Sequence, residues 1–166
     1  MNSRQIIIYT DGSALGNPGK GGWSAILKTE GKNLELSGGY RMTTNNRMEL
    51  TAVIKALCAL KKPCNNVTLF TDSQLVINAI NKGWLTNWLE REWKKTDNKI
   101  VANLDLWKEF VPLWKKHNVK FIWIEGHSGI EGNERCDTLC KQAANNATDI
   151  DFGYETALKT DSIIFK

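Results

Sequence analysis

The chain has 166 residues, 42% hydrophobic and 24% charged, with a net charge of +4. That balance suits one soluble globular domain with a single core, and it excludes a disordered or collagen-like chain. No apolar run reaches the roughly 18–20 residues of a membrane helix, and the N-terminus carries no signal-peptide core, so the cytoplasm is the expected location. The mildly basic charge permits nucleic-acid binding without demanding it. Four cysteines without a secretory signal argue against a disulfide framework.

In chain order, residues 6–9 read as an apolar strand buried on both faces. Residues 11–22 form a glycine-rich turn. Residues 23–27 and 34–40 follow as strands joined by Glu30-Gly31-Lys32-Asn33, which makes an antiparallel meander. Thr43-Thr44-Asn45-Asn46 supplies N-cap residues for a helix over 47–60, which Pro63 ends. A strand over 66–71 and a short helix over 73–81, stopped by Gly83, come next. Residues 84–99 are amphipathic, charged and rich in tryptophan. A helix is predicted over 104–116, with Pro112 a candidate kink. A strand over 119–124 and a helix over 133–147 complete the pattern. Periodicity is lost from Thr148, so 148–166 is expected to be a partly disordered tail. Alternating strands and helices after a meander predict an α/β fold, a mixed sheet flanked by helices.

Two of the strand-like runs stop in the same way, residues 6–10 at Asp11 and residues 67–71 at Asp72, each with a serine close behind. A carboxylate at the end of a buried strand is costly unless it binds something positive. Glu49 shares its helical stripe with Ala52, Val53, Ala56, Leu57 and Leu60, so this acid points inward rather than to solvent. Asp137 lies in an early turn of the last helix. Glu49 and Asp137 each have an ordinary alternative in a first helical turn, where the dipole favours an acid. Four carboxylates in one place repel one another, and cations relieve that. Mg²⁺ takes oxygen ligands, with Mn²⁺ a possible substitute, and a pair of ions about 3.5–4 Å apart can serve phosphodiester cleavage. Cys136 and Cys140 have a spacing that could suit metal ligation, but they fit better as core residues beside Leu139, Ala143 and Ala147. No Cys/His cluster has zinc spacing.

The segments Tyr9-Thr10-Asp11-Gly12-Ser13, Gly16-Asn17-Pro18-Gly19, Thr44-Asn45-Asn46-Arg47-Met48-Glu49-Leu50 and Thr71-Asp72-Ser73-Gln74 occur in order. Gly126-His127-Ser128-Gly129 and Gly132-Asn133-Glu134-Arg135-Cys136-Asp137 follow. Together they closely resemble bacterial-type ribonuclease H, type 1, over roughly residues 4–147. The resemblance implies the ribonuclease H-like fold, with a five-stranded sheet and helices on both sides. It implies two-metal-ion hydrolysis of the RNA strand of an RNA–DNA hybrid, leaving 3′-hydroxyl and 5′-phosphate ends. Asp11, Glu49, Asp72 and Asp137 match the catalytic metal-binding acids, with Asp11 bridging both ions. His127 matches a mobile-loop histidine that assists proton transfer or product release, and its glycine-flanked setting agrees with that role. His117 matches no motif and is read as a surface residue. The catalytic domain is then residues 1–147, a monomer by default.

A 2′-hydroxyl is the chemical mark of an RNA strand. Gly12, Asn17, Asn45 and Gln74 match the family's contact positions, and glycine at 12 lets the backbone approach the sugar. Asn17 and Asn45 also suit turn and cap roles. Residues 82–99 resemble the family's basic handle for the DNA strand. Trp84, Trp88 and Trp93 there can stack on sugars or pack the handle against the body. Thr44 and Asn87 match a DNA-phosphate pocket. The handle departs from the strongly basic pattern: Lys82, Arg91, Lys94, Lys95 and Lys99 outweigh Glu90, Glu92 and Asp97 by only +2, so weaker binding and a shallower salt dependence are expected. Two alternatives remain: a catalytically silent hybrid-binding module, and a DNA nuclease on the same fold. The intact acids weigh against the first and the ribose-reading amides against the second.

Overall fold

The protein is seen here as a computed structural model that describes residues 4–164. The elements are β1 (Ile6–Leu15), β2 (Gly19–Thr29), β3 (Lys32–Thr43), α1 (Asn45–Cys58), β4 (Val67–Thr71), α2 (Gln74–Asn81), α3 (Trp84–Glu90), α4 (Leu104–Lys116), β5 (Val119–Trp123), α5 (Glu131–Asn145) and α6 (Phe152–Ile164). The five strands form one mixed sheet in the order β3-β2-β1-β4-β5. β1 pairs antiparallel with β2 and β2 with β3, while β1–β4 and β4–β5 are parallel. The expected architecture is therefore present.

Successive residues of a strand face opposite sides of a sheet. A Cβ at Gly12 would run into the Met48 and Glu49 backbone of α1, and one at Gly22 into the Cys140 backbone of α5. Gly22 pairs with Ser13, the neighbour of Gly12, so α1 and α5 cover opposite faces. The α1 face holds the main core, with Ile8, Leu50, Val53, Leu57, Leu69, Trp107 and Phe110 buried. The expected stripe of α1 is there: Ala52, Val53, Ala56 and Leu57 are all fully buried. Met48 is buried against Trp23 and Gly21 of β2, and Leu50, Thr51 and Ile54 are buried too, with α4 packed against α1.

The predicted glycine-rich turn is much shorter than residues 11–22. β1 continues to Leu15, and its ladder with β2 runs through Leu15↔Lys20. Gly12, Gly21 and Gly22 mark where helices and a neighbouring strand lie against the ladder, and the chain turns only around Gly16, whose φ is +73. Nor is β1 buried on both faces throughout: Ile8 is buried, whereas Ile6, Ile7 and Tyr9 are half-buried. α4 runs unbroken through Pro112.

The segment after Thr148 departs from the expected tail. It carries α6, and Asp151 just before that helix is buried. The Asp151 carboxylate accepts from Arg47 Nε (2.8 Å), Arg47 Nη2 (3.0 Å) and the Thr43 hydroxyl (2.7 Å). Arg47 is itself buried and also donates to Asp105 of α4 at 2.8 and 2.6 Å. The C-terminal segment thus clasps the first turn of α1 through a buried cation. Truncating one partner of a buried pair strands the other. Asp151→Ala is therefore expected to cost about 3 kcal/mol in a urea melt, the low end of that range because Asp105 still holds Arg47. A change below about 0.5 kcal/mol, the size of an ordinary surface substitution, would show the clasp to be idle.

Candidate active site

β4 ends at Thr71, paired with Thr10, while β1 runs on. Asp11 therefore stands in mid-strand, paired with Ser24 of β2, at the point where its parallel neighbour stops. The sheet edge expected for this acid arises because β4 ends, not because β1 does. Asp72 leaves the adjacent strand at the same level. This is the crevice at the carboxyl end of a parallel strand pair, where α/β sheets place ligands.

The other acids reach this point from the two helical layers. Glu49 comes from the first turns of α1, whose N-cap Thr44 accepts from the Arg47 amide at 3.3 Å. Asp137 comes from α5 on the opposite face. Asp11 is buried and its Oδ1 accepts from the Gly12 amide at 2.8 Å. Burial, then repulsion from Asp72, Asp137 and Glu49, raises its carboxyl to about 8 despite that amide. Glu49 is raised by burial and by Asp72, against a hydrogen bond from Ser73. Ser73 Oγ also caps α2, accepting from the Val76 amide at 3.3 Å. Asp72 is raised by burial and Asp137, while its own amide, His127 and a hydrogen bond with Asp11 hold it down. All four predicted acids thus act on one another electrostatically. Such a group is unfavourable without positive charge and suits a divalent ion. One ligand atom each from Asp11, Asp137 and Cys140 lie within 4.8 Å of one another.

His127 is exposed and has φ 58, flanked by Gly126 and by Gly129 at φ 86. A Cβ at 126 would lie 2.8 Å from Asp72 Oδ2, so this loop sits directly on the site. Trp123 Nε1 donates to the Asp72 carbonyl at 3.3 Å and ties β5 to the same turn. Asn17 and Asn45 interlock the β1–β2 turn with α1: Asn45 Oδ1 accepts from the Ala14 amide (2.6 Å) and Asn17 Oδ1 from the Asn45 amide (3.1 Å). Gln74 opens α2 with its side chain exposed. In the handle, Trp84 and Asn87 are exposed on α3. Trp88 instead packs edge-on to Trp107, with ring centroids 5.3 Å apart, and Trp93 leans on the core. Packing thus accounts for Trp88 and Trp93, while Trp84 leans on Trp88 with ring centroids 6.4 Å apart and stays exposed.

Some residues near the site escaped the sequence reading. Ser73 belongs to the Thr71-Asp72-Ser73-Gln74 motif, but its hydrogen bond to Glu49 is not visible in the sequence. Lys141 Nζ meets Asp137 Oδ2 at 2.8 Å, a pair legible from its i, i+4 spacing. Cys136 and Cys140 are buried as expected, and burial pushes the Cys136 thiol up to about 12. Cys140 however joins Asp11 and Asp137 rather than Cys136. His117 is not on the surface: it is buried, and its Nδ1 accepts from the Cys64 amide at 3.2 Å. No helix among the described residues is long and apolar enough to cross a membrane.

Known proteins resemble this chain in sequence and fold. The family model for RNase H matches residues 3–145. Ribonuclease H of Nitratidesulfovibrio vulgaris (strain DP4) is 54% identical over 145 residues, covering 87% of this chain and 92% of the relative. Ribonuclease H of Salmonella arizonae is 51% identical over 152 residues, covering 92% and 97%. Among solved structures, LC9-RNase H1, a type 1 RNase H with the type 2 active-site motif, superposes with a TM-score of 0.77 at 30% identity, over 89% of this chain and 75% of that one. LC11-RNase H1 in complex with RNA/DNA hybrid superposes at 0.64 and 27% identity, over 86% and 98%. With half its residues shared over nearly the full length of its relatives, this chain belongs to the ribonuclease H family.

Proposed function

We propose that this protein is a metal-dependent endoribonuclease that hydrolyses the RNA strand of RNA–DNA hybrids by a two-metal-ion mechanism, leaving 3′-hydroxyl and 5′-phosphate ends. The observation that carries this reading is the convergence of Asp11, Glu49, Asp72 and Asp137 where β4 stops beside β1. A cluster that raises the Asp11 carboxyl to about 8 is a poor design for a protein that only binds anionic nucleic acid. When bound, Mg²⁺ or Mn²⁺ would supply the positive charge that offsets the phosphate and acidifies the attacking water.

The chain's own residues do the rest. Asp11 and Asp137 from the α5 face, with Glu49 and Asp72, would hold the divalent ions, whose charge would hold the scissile phosphate. Ser73 keeps the Glu49 carboxylate aimed inward. His127, on its glycine-flanked loop beside Asp72, moves a proton or helps product leave. Asn17, Asn45 and Gln74 read the 2′-hydroxyl, donating through amide N–H₂ groups because the Asn17 and Asn45 oxygens are engaged by backbone. Trp84, Asn87 and Thr44 take the DNA strand, with Trp88 seating the handle. All four cysteines are free thiols, which agrees with a reducing cytoplasm.

The test is a gel assay of an end-labelled RNA strand annealed to DNA, with Mg²⁺ and with EDTA, beside duplex RNA and duplex DNA. Mg²⁺-dependent cutting of the hybrid alone is expected. Binding without cutting would turn the reading to a silent hybrid binder. Cutting that survives replacement of the scissile-side 2′-hydroxyls by hydrogen would favour a DNA nuclease. In the same assay His127→Ala should slow turnover about 10²-fold, the scale of a positioned proton-transfer group, without abolishing it. Complete loss would mean that this loop also builds the site.

A further inference from the structure

Cys140 is a fully buried thiol that none of the roles above employs. It stands one turn after Asp137 on the same face of α5, and its Sγ contacts the Asp137 carbonyl at 3.3 Å. Asp11 reaches the same point from β1, bringing one carboxylate oxygen each from Asp11 and Asp137 within 4.8 Å of that sulfur. Cys136 does not take part, since its Sγ is turned to the Tyr9 carbonyl at 3.3 Å. A hard ion such as Mg²⁺ uses only the oxygens of such a set. An ion of the zinc or cadmium kind prefers the thiolate and accepts carboxylates beside it.

We propose that Cys140 makes the Asp11–Asp137 end of the cluster a site for a thiophilic divalent cation, of the Zn²⁺ or Cd²⁺ class, which competes with the hard ion for the same carboxylates. This rests on the reading that Asp11 and Asp137 hold the divalent ions of the reaction. Tetrahedral zinc, with bonds of about 2.0–2.3 Å, sets its ligand atoms roughly 3.5 Å apart, so the donors must close by about 1 Å. Asp137 is only half-buried, and it pairs with the exposed side chain of Lys141. Three protein ligands leave a fourth position for water or a phosphate oxygen. On binding, the Cys140 S–H bond breaks, the proton passes to buffer and the sulfur–metal bond forms, with no change of oxidation state. The consequence is an enzyme that soft ions poison through its own thiol.

The probe is Cd²⁺ alone, titrated into the full chain while the ultraviolet thiolate-to-cadmium charge-transfer band is recorded. The parent carries Cys58→Ser and Cys64→Ser, because those thiols are exposed and half-buried respectively. One Cd²⁺ per chain should produce the band, and added Mg²⁺ should shift the midpoint upward at least tenfold. Cys140→Ser, close to cysteine in volume and checked for folding by circular dichroism, should lose the band. Asp11→Asn should weaken Cd²⁺ binding at least tenfold. A missing band in the parent, a band that survives Cys140→Ser, or binding indifferent to Asp11→Asn would each overturn the proposal. Mg²⁺ binding to the parent, followed by calorimetry, separates the two readings. Asp11-dependent Mg²⁺ binding without the cadmium band defeats this inference alone, whereas no Mg²⁺ binding defeats the active-site reading beneath it.

Discussion

Asp11→Asn is expected to abolish cleavage and at the same time to stabilise the ion-free protein. The first effect follows from removing a charged ligand at the centre of the cluster. Several kcal/mol of transition-state stabilisation amount to about a thousandfold or more in rate. The second follows from the raised carboxyl of Asp11. Its folded pKa of about 8 lies above the ordinary carboxylate range, so the folded chain holds a proton that the unfolded chain has released. Below the ordinary range both states are protonated and the substitution changes little. As pH rises toward about 8 the folded state is penalised progressively, and above that the penalty is complete. Asparagine carries no charge and escapes it. At pH 8.5 without divalent ions the variant should exceed the parent by roughly 2–3 kcal/mol in urea unfolding, less than the full shift implies because Asp72 and Glu49 can take up protons in its place. At pH 3, below the ordinary range, the gap should nearly close. Mg²⁺ should stabilise the parent, since it binds only the folded state, and the variant much less. Normal turnover in Asp11→Asn, or a stability gap that shrinks as pH rises, would remove Asp11 from the metal site.

Local pattern carried most of the elements because each is stabilised by its own hydrophobic period. The stripe through Ala52, Val53, Ala56 and Leu57 is buried as its spacing implies. The acids were legible for a related reason: a carboxylate directly after a β-rich run has no structural use there, and the motifs around the four agree. What failed depends on contacts between distant segments. The glycines at 12, 21 and 22 have the composition of a turn, yet they lie in the β1–β2 ladder because helices and strands crowd them. The segment after Thr148 lacks a strong apolar period, and it is held by bonds to distant segments, from Arg47 to Asp151, 104 residues apart, and from Arg41 to Glu155 and the Asp149 carbonyl. The same limit hid Cys140. Its i, i+3 relation to Asp137 is visible in the chain, but its approach to Asp11 exists only once α5 lies on β1. His117 looked like a surface residue because nothing local shows that the Cys64 amide closes over it.

Gly12→Ala is expected to cost at least about 3 kcal/mol of stability, the upper end of what overpacking inflicts, and to reduce turnover about 10²-fold. From the sequence, glycine at 12 leaves room for a sugar to approach, but the structure gives it a nearer neighbour. A Cβ there would lie 2.6 Å from the Met48 carbonyl oxygen and closer still to the Met48 carbonyl carbon and Glu49 amide. These are backbone atoms in the first turns of α1, so no side chain can rotate aside. The helix must shift by about 1 Å, which is the displacement that costs catalysis about a hundredfold. Glu49 rides on that turn, and its carboxylate would leave the other three. The constraint is space rather than conformation, since the backbone at 12 is not left-handed. Gly31→Ala provides the contrast: φ is +77 and the surroundings are open. Only the left-handed strain of about 1–2 kcal/mol is expected there, with turnover unchanged. Urea unfolding together with kcat and KM at saturating Mg²⁺ distinguishes the possibilities. Lower stability with lower kcat supports the seat for α1. Parental stability with a raised KM alone would return Gly12 to the sugar, and parental values throughout would show that α1 does not need it.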